Sequence, residues 1–184
     1  IFFMLLIVLS AAFLLFVMAR NDWTLDLSKF GAMVDRAFGG EGQPTQAQAV
    51  LRGLVVEGDP IVTPARLSTG DKVLLAQGVV KNNDTLTRKY IVVRATLVDN
   101  HNRPVTAEEA PAGNIFTPEQ VSRLTAQRLA ARFNPAGRDG RNARLEGGQT
   151  IGFMVVLTRL PHDYSPAKYS VKAKVSQAEF FDAP

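Results

Sequence analysis

The chain has 184 residues and a formal net charge of +4 at pH 7, with 46% hydrophobic residues, 21% charged residues and no cysteine. That length suits one domain with appendages, and the lack of cysteine excludes disulfides, thiolate zinc sites, iron–sulfur clusters and cysteine nucleophiles within it. His101 and His162 are its only histidines, so imidazole catalysis and metal binding have little to draw on, and no cofactor is expected.

Residues 1–19, IFFMLLIVLSAAFLLFVMA, hold Ser10 as their only polar side chain. At about 1.5 Å per helical residue the run reaches roughly 28 Å, close to the ~30 Å hydrocarbon core of a bilayer. Its residues are apolar on every side, which leaves no face for water. We therefore expect a transmembrane helix, with Leu5, Phe13 and Phe16 among the side chains that meet lipid or a partner. Two other readings compete. A signal peptide cut after Val17-Met18-Ala19 would need a shorter apolar core and a basic segment ahead of it; a buried core helix is the third. Because the chain opens on Ile1 and not on methionine, a preceding segment is expected. Arg20, Asn21 and Asp22 close the run, and Trp23 follows at the level of an interfacial aromatic belt. Between residues 20 and 40, Arg20, Lys29 and Arg36 balance Asp22, Asp26 and Asp35. A neutral flank points to the translocated side.

Trp23, Leu27, Phe30, Val34 and Phe38 then recur at helical spacing and form one apolar stripe. Asp22 can cap this segment, and Gly39-Gly40 can stop it. Such a helix over 20–40 would lie in the membrane interface, pack on another integral membrane subunit or a second copy, or fold onto its own domain. Residues 41–47, rich in Gly, Gln and Pro, read as a linker.

From residue 48 the apolar residues fall into short β-branched runs. Strands are predicted at Val50–Glu57, Lys72–Lys81, Lys89–Val98, Thr150–Thr158 and Lys168–Val175, with a turn-rich stretch over 58–71. In the last run Tyr169, Val171, Ala173 and Val175 alternate with Lys168, Ser170, Lys172 and Lys174, as in a strand with one face in water. Thr117-Pro118-Glu119-Gln120 starts one helix with a capping box. Val121, Leu124, Leu129 and Phe133 are its apolar side, and Asn134-Pro135 ends it. Short strands with turn-forming punctuation predict a mainly β, antiparallel β-sandwich over 48–184 with one inserted helix.

Several of these segments carry a resemblance. GDKVLLAQGVVKNND from Gly70, RATLVDNHNRPV from Arg94, APAGNIFTPEQVSRL from Ala110, and GGQTIGFMVVLTRLP with YSVKAKV follow one pattern. So do Gly78, Val80 and Asn82, then Ala112-Gly113-Asn114, then Phe153-Met154-Val155-Val156. This resembles the bacterial envelope family catalogued as domain of unknown function 3426, over most of residues 48–178. The resemblance implies a zinc-ribbon motif upstream of this chain, one transmembrane helix and an immunoglobulin-like sandwich. It implies no activity.

Candidate chemistry is sparse. His101 falls in a hairpin turn, and His162 neighbours Asp163 and Tyr164 without a serine in a nucleophile elbow. Glu108 and Glu109 are adjacent and should point apart. Residues 137–142, GRDGRN, do not open a helix after a strand as a phosphate loop does, and read as a free loop. One feature is distinct: Arg123, Arg128, Arg132, Arg138, Arg141 and Arg144 lie within 22 residues, opposed only by Asp139. Such a patch could grip an acidic envelope partner; few aromatics interleave it, so nucleic acid is not expected. The expectation is a non-enzymatic, single-span protein of the bacterial inner membrane with its sandwich in the periplasm. It would serve as an accessory or scaffold subunit of a membrane complex. The alternative is a membrane-anchored signalling protein with a metal-binding cytoplasmic portion.

Overall fold

Val, Ile and Leu at alternating positions, broken by Gly, Asn and Pro, drive this chain into strands. The structure, a computed structural model, describes residues 46–181. The expected span, the stripe from Trp23 to Phe38 and most of the linker lie outside those residues. Among the described residues no helix is long and apolar enough to cross a membrane.

The elements run in order as α1 (Gln46–Leu51), β1 (Leu54–Arg66), β2 (Lys72–Asn82), β3 (Arg88–Asp99), β4 (Pro104–Pro111), α2 (Pro118–Ser122), α3 (Ala126–Ala130), a 3-10 turn (Arg141–Ala143), β5 (Thr150–Leu157) and β6 (Tyr169–Phe180). The fold is mainly β, with two three-stranded sheets ordered β1-β2-β5 and β4-β3-β6. Every pairing is antiparallel. The hairpins β1–β2 and β3–β4 each stay in one sheet, while the chain changes sheet after β2, β4 and β5.

One apolar cluster joins both sheets: Leu74, Ala76 and Val80 of β2 and Phe153, Val155 and Leu157 of β5 share it with Ile91, Val93, Ala95 and Leu97 of β3. A second cluster lies on the other side of the first sheet. There Val73, Leu75, Met154 and Val156 are covered by Phe116, Val121, Leu124 and Leu129 from the α2–α3 segment. Both faces of β5 are thus buried, which explains why IGFMVVL reads as a continuous apolar run rather than an alternation. Phe116 and Phe133 meet edge to face at 5.4 Å between centroids.

The structure corrects four expectations. Residues 46–51 are helical, and the first strand starts at Leu54 and runs to Arg66 through the stretch expected to be turns. Pro60 falls in the register shift between Glu57 and Ile61, and Pro64 pairs with Leu74; an edge strand tolerates prolines whose missing N–H faces away from its neighbour. A strand over Pro104–Pro111 was not expected, because its Ala and Glu residues carry little β propensity. The single inserted helix is two short ones. The Thr117 capping box forms, but Thr125 caps a new helix by accepting from Arg128 N, 3.3 Å away. Finally, GRDGRN is pinned, not free: Asn142 is fully buried and held by three hydrogen bonds.

Candidate functional site

Four polar side chains are buried in the described domain: Asn82, Arg88, Asn114 and Asn142. All four serve the fold. Asn82 Nδ2 donates to the Leu86 and Leu145 carbonyls, and its Oδ1 accepts from Asp84 N. Asn114 donates to the Pro111, Ala112 and Asn134 carbonyls and accepts from Asn134 N. Asn142 accepts from Ile91 N and donates to Ile91 O, as a neighbouring strand would. Gly78 pairs with Phe153, whose ring lies 2.8 Å from the place a Cβ would take. Gly113, at φ +78°, sits 3.1 Å by the same measure from Gly137 Cα. Asn82, Gly113 and Asn114 therefore hold loops onto the sheets, and Gly78 makes room for the Phe153 ring within the first sheet.

The arginines behave differently. Arg123, Arg128, Arg132, Arg138, Arg141 and Arg144 are all exposed, and they follow the α2–α3 segment and the loop after it. Arg123 caps the end of α2, and Arg128 lies on α3. Arg138 donates to Ile115 O at 3.2 Å and stands over the Phe116 ring. Arg144 pairs with Glu146 at 3.1 Å and stands over the Phe181 ring. Arg141 and Arg144 share an open cleft of about 570 Å³ with Gly148, Gln149 and Thr150. Only Arg141 and Arg144 share a cleft; the other four are spread over the α2–α3 segment and the loop that follows it.

Two further clefts contain residues weighed above for chemistry, His162 in one and Glu108 with Glu109 in the other. One, of about 540 Å³, lies between the β1–β2 turn, the start of α3 and the β5–β6 loop, and brings together Arg66, Asp71, Lys72, Thr158, His162 and Tyr164. With Ala126 of α3 these residues come from three distant stretches of chain, so no local motif announces them. Asp163 does not orient His162 here. It accepts from Lys168 Nζ at 3.1 Å and from the Tyr169 hydroxyl at 2.9 Å, and these bonds, Lys168 first, hold its carboxyl below the ordinary value of 3.8. Burial raises the Tyr164 phenol, and the Asp163 carboxylate raises that of Tyr169. The second cleft, about 310 Å³, is lined by Glu108, Glu109, Leu129 and Phe133. The two carboxylates diverge as expected: Glu108 takes Arg159 and Glu109 takes Arg94. Each is spent on a separate ion pair, an arrangement that does not make a cooperating acid–base couple.

His101 is exposed in the β3–β4 turn, its backbone N–H bonded to Asp99 Oδ1. The other expected contact residues, Leu5, Phe13, Phe16, Trp23, Leu27, Phe30, Val34 and Phe38, lie outside the described residues. Comparison with family models, curated proteins and solved structures gives no match.

Proposed function

We propose that this chain is a non-enzymatic, single-span protein of the bacterial inner membrane, similar to the domain of unknown function 3426 family. In this reading an immunoglobulin-like β-sandwich in the periplasm acts as an accessory or scaffold subunit of an envelope complex. The observation that carries it is the apolar run of residues 1–19, uncharged and with Ser10 as its only polar side chain, ahead of a β domain with two apolar cores of its own. A tether of that length is matched to the bilayer. The exposed arginines between Arg123 and Arg144 are suited to an acidic envelope partner, and the polar loop residues serve as backbone staples. Integral membrane subunits, or further copies of this chain, would meet the span and the stripe from Trp23 to Phe38.

Alkaline carbonate extraction followed by mild detergent solubilisation tests this. The chain should stay in the membrane pellet and then copurify with stoichiometric partners. Release by carbonate would remove the tether, and a monodisperse monomer in detergent would overturn the accessory role.

A further inference from the structure

Two strand pairings of the described domain set cations directly opposite each other: Arg66 with Lys72 at the close of the β1–β2 hairpin, and Arg94 with Lys174 between β3 and β6. Cross-strand partners share a face of their sheet, and like charges in that position repel. Glu109 answers Arg94 at 2.8 Å. Neither Arg66 nor Lys72 has a carboxylate partner among the described residues. On β2, Lys72 is the next position towards the turn on the face that carries Leu74 and Ala76 into the core between the sheets. Arg66 holds the matching place on β1, two residues beyond Pro64. The pair therefore stands where the inner face of the first sheet runs out of core.

Both cations line two clefts, of about 540 and 500 Å³, that also share Val73, Leu160 and Tyr164. The shared walls make these clefts parts of one groove between the β1–β2 hairpin and the β5–β6 loop. Each wall is braced on its own side. Arg66 Nη1 donates to Gly70 O at 3.1 Å across the hairpin turn, and Ser68 N–H ties that turn to Leu124 O at 3.0 Å. Asp163 staples the loop through Lys168 and the Tyr169 hydroxyl, while Leu160 and Tyr164 seat it on the core. Among the described residues no hydrogen bond or ion pair crosses from one wall to the other. The Lys72 ammonium, the His162 imidazole and the Tyr164 hydroxyl have no polar partner among those residues, and Arg66 keeps Nε and Nη2 uncommitted. Asp71 supplies the one carboxylate of the lining, and it accepts from the Thr69 hydroxyl at 2.6 Å.

We infer that this groove binds a small organic carboxylate, its head between Arg66 and Lys72 and its apolar body along Leu160 and Tyr164. A guanidinium fork can hold a carboxylate through two N–H groups, and an anion placed between the two cations removes their repulsion. Set against Asp71, the pair leaves one net positive charge, which suits a singly charged carboxylate better than a doubly charged phosphate. Pro64, Val73 and Leu74 extend the apolar surface beside it. The volume falls within the range of small-molecule sites, which combine an apolar lining with a few placed polar groups. The site is built wholly from the described domain, so it stands or falls apart from the membrane tether.

The test titrates the full chain in phosphatidylcholine nanodiscs with 3-phenylpropionate by saturation-transfer NMR, with empty discs subtracted. Saturable binding with a dissociation constant below about 1 mM is expected. Acetate lacks the body, 3-phenylpropionamide lacks the charge and inorganic phosphate carries too much of it; each should bind at least about tenfold more weakly. Arg66→Gln and Lys72→Gln should each weaken 3-phenylpropionate by at least about tenfold, whereas Arg141→Gln, in a separate cleft, should leave it unchanged. Because each of the first two changes relieves a like-charge pair, the thermal midpoint of the ligand-free chain should hold or rise, which separates lost binding from a lost fold. Saturating 3-phenylpropionate should raise the midpoint of the native chain but not that of the double variant. No saturable binding by about 5 mM, equal binding of the amide, tighter binding of phosphate, or full affinity in the double variant overturns the inference. So does a lower midpoint in both single variants, since the two cations would then be supporting the fold.

Discussion

Arg88→Met is the most informative perturbation of the fold. The guanidinium is fully buried and donates to Val50 O at 2.8 Å, Leu86 O at 2.9 Å, Arg52 O at 3.2 Å and Asp84 Oδ2 at 2.7 Å. It also stands 4.4 Å from the Phe180 ring centroid. Methionine fills much of the volume but donates nothing, so the Val50 and Arg52 carbonyls lose this donor at about 1 kcal/mol or more each, while Leu86 O keeps the bond from Asn82 Nδ2. Breaking a buried ion pair from one side costs about 3–5 kcal/mol, so we expect a loss of about 4 kcal/mol. With a urea m-value near 2 kcal/mol/M, that moves the midpoint down by about 2 M. The assay is urea unfolding of the detergent-solubilised chain by circular dichroism, with hydrogen exchange resolved by peptide. Protection should fall first in α1, the β2–β3 loop and the end of β6, the elements that Arg88 joins. Arg88→Lys should recover little, since an ammonium cannot serve four diverging acceptors from one buried position. An unchanged or higher midpoint for Arg88→Met would refute the reasoning. It would mean that desolvating the charge had cost as much as its bonds returned, as happens when some buried pairs are replaced by apolar residues.

Asp84 supplies a pH test. Its hydrogen bond with Arg88, then that with Thr85 N–H, hold its carboxyl below the ordinary 3.8, so its contribution is complete above that value and is lost as pH falls through the lower folded value. Acid unfolding of the native chain should steepen below about pH 4, and Asp84→Asn should flatten that part of the stability profile; an identical slope in the variant refutes the assignment. Gly78→Ala puts a Cβ 2.8 Å from the Phe153 ring, and overpacking of this kind costs about 1–3 kcal/mol. The drop in thermal midpoint should largely vanish when Phe153→Leu is added, and an additive double variant would contradict the contact. Asn142→Ala removes three bonds to Ile91 and Pro135 and should cost about 2–3 kcal/mol, with faster hydrogen exchange at Ile91. Unaltered exchange there would show that the loop does not depend on this side chain.

Local signals were enough for some elements and not for others. The Thr117 capping box was legible because donor, acceptor and proline lie within four consecutive residues. The outer limits of β2, β3 and β5 followed from dense β-branched runs, while β6 continues five residues past its strict alternation, through a register shift at Val175–Gln177. The first strand was misplaced because Val50 and Leu51 look like the start of VLRGLVVE; they belong to α1, which the Arg88 donors hold from 36 to 38 residues away. The single helix failed at Thr125, where a hydroxyl on a backbone N–H outcompetes helix continuation. Of the candidate site, the run of arginines was legible as a count, and the assembly of the cleft around His162 was not, because three separated segments build it.

Sequence alone determined the apolar opening run, the cysteine-free chemistry and the β character of the domain, since each depends on composition or on period within a few residues. Tertiary structure decided which polar residues are spent. Asn82, Arg88, Asn114 and Asn142 look like surface residues in a loop-rich chain, yet each is buried against carbonyls contributed by other segments. A carbonyl left without a partner inside a protein costs more than ordering one side chain to meet it. Only the assembled fold determines where those carbonyls lie.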